Sequence, residues 1–157
     1  MKNFSNHANA RIRRAYETAK TAHSGQLDKS GVEYINHPLT VAENVGENIS
    51  AIIVALLHDV AEDTNLTIAE LKKKIPLTDD ETKALELLTH DKNISYFEYV
   101  EQIKSNDLAR IVKIADLKHN SDLSRIKNPS QKDFARVEKY SLALKILALM
   151  TVGECLE

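Results

Sequence analysis

AIIVALLHDVAEDT, residues 51–64, sets the problem for the whole chain. An apolar run from Ala51 to Leu57 leads directly into His58 and Asp59, with Glu62 and Asp63 close behind. A short apolar run can be a buried strand or a buried helix, and periodicity alone does not choose between them. The alanines favour a helix, and no segment elsewhere offers itself as a partner strand. The stretch is therefore predicted as a helix over 50–63. On a helix, residues four apart share a face, so His58 sits with Glu62 and Asp59 with Asp63. Three carboxylates at the C-terminal end of a helix repel one another and the free carbonyls there. Charged groups are seldom driven into a core unless they are paired or hold a metal. A divalent cation would relieve the conflict, and histidine nitrogen and aspartate oxygen are ordinary ligands for one.

Bulk composition narrows the setting. The chain has 157 residues, a length that suits one domain, 1–157, around a single core. Hydrophobic residues make up 43% and charged residues 28%, as in ordinary globular proteins. The net charge of −2, with both signs mixed, supplies no basic field for nucleic acid or an anionic membrane. Any anionic substrate must be held by local charges or by a cation. The single cysteine, Cys155, cannot form an internal disulfide, and nothing near it in sequence would activate it as a nucleophile. It reads as a tail residue in a reducing, cytoplasmic setting. The first residues have no apolar signal region, and no stretch approaches a membrane span in length.

Only four glycines and three prolines occur, and aromatics are 5%. That composition favours helices over sheets. The expected fold is all-α, a compact single-domain helical bundle of about seven to nine helices. The first helix is predicted over 6–23, followed by the loop HSGQLDKSGVEYIN and a helix over 38–48 with Pro38 as its first residue. After the 50–63 helix, Thr67 with Glu70, and Thr78 with the acidic residues behind it, read as helix starts. Further helices are predicted over 95–104, 107–123 and 130–152. The last is apolar nearly all round at LALKILALM, which places it at the centre or at a contact between subunits and leaves a homo-oligomer open.

Two side chains hold a metal poorly, so further ligands are expected elsewhere. His37, in YINHPLT, stands just before a predicted helix start, from which it can project inward. Asp116, in ARIVKIADLKHNSDL, adjoins the core face marked by apolar positions 108, 111, 112 and 115. Taken singly, His37 reads as a turn residue and Asp116 as a helix-surface charge. A second His-Asp pair, His90-Asp91, has no carboxylates after it and reads as coincidence.

His37, His58-Asp59 and Asp116, in this order, resemble the H…HD…D signature of the HD superfamily of metal-dependent phosphohydrolases. HSGQ…KSGVEYINHPLTVA, LLHDVAEDT and IVKIADLKHN resemble the hydrolase domain of the stringent-response RelA/SpoT family and its stand-alone relatives. The likeness runs over about residues 10–126. It implies that His37, His58, Asp59 and Asp116 bind one divalent metal, typically manganese. It implies that Glu62 and Asp63 orient and deprotonate the attacking water, and that Lys29, Ser30 and Asn120 hold the nucleotide. The implied reaction removes the 3′-pyrophosphate of guanosine tetra- or pentaphosphate, (p)ppGpp; synthesis of these nucleotides is not expected. The chain departs from the pattern at two places. Asp28 stands where the family usually has an arginine that would stack on the guanine, and HNSDL stands for the usual HNMRT, so Asp122 replaces another arginine. These departures keep alternatives in view: hydrolysis of another nucleotide or phosphate ester, or a non-catalytic nucleotide sensor.

Overall fold

A computed structural model describes residues 2–149. Among these residues there is no β-strand, only an isolated bridge between Leu27 and Glu33. Nine α-helices and two short 3-10 turns make up the described architecture, which bears out the all-α expectation. The part of the predicted last helix beyond residue 149, and Cys155, lie outside the described residues. No described helix is long and apolar enough to cross a membrane.

Helix starts follow the capping residues closely. Helix α1 spans Ala10–Ala22, later than expected, because the Asn9 side chain accepts from the Arg11 and Ile12 amides. A 3-10 turn, Phe4–Asn6, precedes it. Helix α2 spans Asn36–Asn44, two residues ahead of the expected start at Pro38. Pro38 is the third helical residue, where its missing N–H costs no intrahelical bond. The helix stops before the predicted end; beyond it Gly46 takes φ +84, a conformation open to glycine at little cost.

The predicted 50–63 helix is two helices, α3 (Ile49–Leu57) and α4 (Val60–Asp63), interrupted at His58-Asp59. Three later helices begin with reciprocal capping boxes: α5 (Ile68–Lys74) on Thr67 and Glu70, α6 (Asp79–Leu88) on Thr78 and Glu81, and α7 (Tyr96–Lys104) on Ser95 and Glu98. Helix α8 (Asp107–Asn120) ends short of the predicted 123, and Asp122 then caps the second 3-10 turn, Leu123–Arg125. Helix α9 (Gln131–Ala148) starts from a Ser130–Asp133 capping box.

Helix α3 is the axis of the bundle. Every residue from Ala51 to Leu57 is buried, and α1, α2, α6 and α8 pack around it. Each of its large aliphatic side chains contributes roughly 1.5–3 kcal/mol by leaving water. Of the two places expected for α9, the centre or a contact between subunits, the first is corrected. The helix packs chiefly on α7 and α8, burying Ala143 and Leu147, while Phe134, Leu142 and the following Leu149 stay exposed. An apolar sequence all round a helix does not bury it when neighbours are present on one side alone.

The side of the bundle away from the His-Asp break is fastened by one carboxylate. Glu81 is fully buried; it accepts from the Thr78 amide (2.9 Å), from the Ser50 hydroxyl (2.7 Å) and from the Arg11 guanidinium. It thus joins the starts of α1, α3 and α6. Glu81→Ala strips Arg11 of its partner and leaves Ser50 without an acceptor. The expected cost is about 3 kcal/mol, read as a fall in the urea midpoint with an unchanged m-value.

Candidate metal centre and adjoining cavity

His37 is the second residue of α2, His58 and Asp59 fill the break between α3 and α4, and Asp116 lies on the buried face of α8. The packing of α2 and α8 against α3 brings all four together. His37 Nε2 is 3.0 Å from Asp116 Oδ1 and 3.4 Å from Asp59 Oδ2. His58 Nε2 is 3.2 Å from Asp59 Oδ2 and 3.7 Å from Asp116 Oδ1. One ligand atom each from His37, His58 and Asp59 falls within 4.8 Å of the others, and Asp116 Oδ1 closes the group.

The orientation of these groups matters as much as their distance. His58 Nδ1 lies 2.6 Å from the Ala55 carbonyl, which can only accept, so the ring proton sits on Nδ1. Its Nε2 then presents a lone pair. Nε2 of His58 and Nε2 of His37 are both buried and have no hydrogen-bond partner. Lone pairs and carboxylate oxygens thus converge, an arrangement that calls for a proton or a cation between them. Burial works against a charged His58, yet Asp59 and Asp116 outweigh it and hold its pKa well above the ordinary value. A proton is therefore drawn to the place where a cation would sit. Two imidazoles and two carboxylates suit a borderline divalent metal such as manganese, iron or zinc.

Surrounding groups fix the carboxylates. Lys113 Nζ donates to Asp116 Oδ2 (2.8 Å) and Asn120 Nδ2 donates to Asp116 Oδ1 (2.7 Å). Burial pushes Asp116 up, but Lys113 and the two histidines hold it well below the usual carboxylate range. The Tyr34 hydroxyl donates to Asp59 Oδ2 at 2.6 Å and lies 3.3 Å from Asp63 Oδ2. Glu62 and Asp63 stand at the solvent-open rim, in α4. The interruption at His58-Asp59 replaces the continuous helix expected there, although the Asp63 amide still bonds the Asp59 carbonyl (2.9 Å). Partial burial and the Asp59 carboxylate raise the pKa values of both Glu62 and Asp63, and Asp63 raises Glu62 further. His90 lies outside the cluster, its ring 4.5 Å from that of Tyr99 and its Nε2 3.2 Å from the Ile94 carbonyl.

A cavity of about 280 Å³ adjoins the cluster and shares Tyr34 and Asn120 with it as wall residues. Lys29, Ser30 and Asn120 all line this cavity, as the resemblance implies. Their present bonds are internal. The Ser30 hydroxyl donates to the Arg125 carbonyl (2.7 Å), and Lys29 Nζ is 3.8 Å from Asp133 Oδ1. Arg136 shares that oxygen at 3.0 Å. Asp28 is not a free anion. Its Oδ2 accepts from Arg125 (2.7 Å), and its Oδ1 accepts from the Ser30 (2.7 Å) and Val32 (3.1 Å) amides. These contacts overcome the cost of burial and lower its pKa. Asp122 is exposed and engaged in capping Ser124.

Sequence reasoning passed over several contributors: Tyr34, Lys113, His119, Arg125, Arg136 and Tyr140. Lys113 had a usable signal, since it lies one helical turn before Asp116. Arg125, Arg136 and Tyr140 reach the cavity only through the tertiary path of the chain after α8.

No protein-family model matches the chain. Over most of its length the chain is similar to proteins of the RelA/SpoT kind, and its helical fold is theirs. The chain is 32% identical over 166 residues to a guanosine-3′,5′-bis(diphosphate) 3′-pyrophosphohydrolase of Spiroplasma citri, covering 93% of this chain and 22% of that protein. It is 34% identical over 122 residues to the bifunctional (p)ppGpp synthase/hydrolase SpoT of Escherichia coli K12, covering 70% and 17%. A probable GTP pyrophosphokinase of Mycobacterium leprae matches at 32% over 130 residues, 76% and 16%. The chain thus spans about a fifth of the length of these curated relatives. A solved structure, described as a metazoan ortholog of SpoT that hydrolyzes ppGpp and plays a role in starvation responses, superposes with a TM-score of 0.74. It is 21% identical and covers 94% of this chain and 90% of that one. These likenesses bear out the RelA/SpoT resemblance and the all-α fold.

The raised pKa values of Glu62 and Asp63 have a consequence for stability. The folded protein holds their protons to higher pH than the unfolded chain does, so stability falls as pH rises through that window and stays reduced at neutral pH. In the presence of a chelator, Glu62→Gln is expected to raise the melting temperature at pH about 7–8. The gain should vanish below pH about 4, where glutamate is protonated in both states.

Proposed function

We propose that this chain is a metal-dependent nucleotide phosphohydrolase that removes the 3′-pyrophosphate of (p)ppGpp. One observation carries the reading: two partnerless imidazole nitrogens meet two carboxylates beside a cavity that shares their walls. The named activities of the relatives supply the choice of substrate. His37, His58, Asp59 and Asp116 are proposed to hold one divalent cation, with manganese preferred. Such a cation supplies polarisation of a phosphoryl oxygen and a more acidic water.

The remaining work falls to the chain's own side chains. Glu62 and Asp63 accept the proton of the attacking water, and their raised pKa values move them toward the useful range for a base. Tyr34, bonded to Asp59 and near Asp63, fixes the direction in which those carboxylates face. Lys29 and Arg136 are the cations at the cavity to which phosphates are drawn, at the expense of their contacts with Asp133. Asn120 and Ser30 offer polar contacts, and Tyr140 offers a ring face. A second reading, hydrolysis of another nucleotide or phosphate ester, draws support from Asp28: locked to Arg125, neither side chain is free to stack on a guanine.

Product analysis on a nucleotide panel with added manganese tests both readings. Pyrophosphate released from guanosine tetraphosphate is the expected result. Orthophosphate from another nucleotide would shift the substrate, and tight binding without turnover would make the chain a sensor. Asp59→Ala is expected to lose both metal and activity. Glu62→Gln is expected to keep the metal while turnover falls about 10²–10⁴-fold; undiminished turnover in that variant removes Glu62 as proton acceptor.

A further inference from the structure

We infer that His119 and Arg125 are positioning residues that set the ring proton of His37, so that its Nε2 is left as a bare lone pair at the centre of the His/Asp cluster. The inference rests on the metal-binding reading above and adds to it an arrangement behind His37.

His37 Nδ1 and His119 Nδ1 are 2.6 Å apart, with the two rings within 19° of parallel. At that distance one nitrogen must carry a proton and the other must not. The pair alone does not say which. Arg125 decides it. Its Nη1 lies 3.4 Å from His119 Nδ1 and 3.3 Å from the His119 carbonyl, and a guanidinium can only donate. A proton on His119 Nδ1 would face an Arg125 N–H, donor against donor. His119 Nδ1 is therefore an acceptor from both sides, and its ring proton is on Nε2. The shared proton then belongs to His37 Nδ1, and neutral His37 keeps its lone pair on Nε2.

The Nδ1 proton of His58 is set by a simpler route, through the Ala55 carbonyl. The two imidazoles are thus prepared alike, one by the main chain and one by a side-chain relay. Arg125 is itself held by Asp28, which lines the cavity, so the relay reaches from the cavity wall to the metal centre. Partners of this kind behind a metal-bound histidine typically alter metal affinity 10–100-fold.

Nitrogen-15 NMR of the metal-free protein at pH about 8 addresses the tautomer directly. An unprotonated, pyridine-like signal for His119 Nδ1 is expected; a protonated, pyrrole-like signal there overturns the inference. Manganese titration by calorimetry supplies the second readout. His119→Leu is expected to weaken binding about 10–100-fold. His119→Asn places an amide oxygen near the former Nδ1 and should restore most of the affinity. His119→Leu that folds and binds manganese as tightly as the unaltered protein counts against the relay. Absence of manganese binding by the unaltered protein would instead defeat the metal reading, and the NMR signal would still decide the tautomer.

Discussion

Four acceptor groups crowd one point in the interior of this bundle, and the crowding is tolerable only if something positive sits among them. Two imidazole lone pairs and two aspartate carboxylates would otherwise be a net cost of several kcal/mol to the fold. Each of the four is held in place by a different kind of restraint. A main-chain carbonyl holds His58, a second imidazole holds His37, Tyr34 holds Asp59, and Lys113 with Asn120 holds Asp116. Restraint on this scale keeps the groups from turning away to relieve their repulsion. The groups are thereby held in the arrangement that the proposed cation would need.

The rest of the fold can be understood as the means of bringing these groups together. Helix α3 is short and apolar, and its burial between α1, α2, α6 and α8 anchors the His58-Asp59 break. The interruption there spares the core from carrying charged groups any deeper. Glu81 performs the corresponding task at the other end of α3, where it takes up Ser50 and Arg11. One end of the helix is therefore fixed by a satisfied buried carboxylate, and the other ends beside two imidazole nitrogens that have no hydrogen-bond partner.

Much of this was legible in the sequence where the signal is local. Thr67, Thr78, Ser95 and Ser130 each mark a helix start because a capping side chain acts within three residues. His58, Asp59 and Asp116 stand out because polar groups end or interrupt apolar runs, and His37 through its place before a helix start and the family resemblance. The misreadings have equally local causes. The 50–63 helix was read as continuous because its composition gives no hint that His58-Asp59 leave the helical ladder. Helix α9 reads as central or at a subunit contact because apolar content does not reveal how many neighbours a helix has. His119 and Arg125 were invisible for another reason: their importance depends on a contact with a residue more than eighty positions away. Asp28 was legible as a departure but not as a pair, since its partner lies 97 residues further along.

Asp133 divides its labour between its two oxygens. Oδ2 takes the Ser130 amide and hydroxyl and so closes the first turn of α9, while Oδ1 faces Lys29 and Arg136, both of which line the cavity. On the proposed reading, an anion that displaced Oδ1 from Lys29 and Arg136 would leave the Oδ2 bonds to Ser130 in place. The helix that carries Arg136 and Tyr140 would then keep its first-turn cap while its cation changed partners.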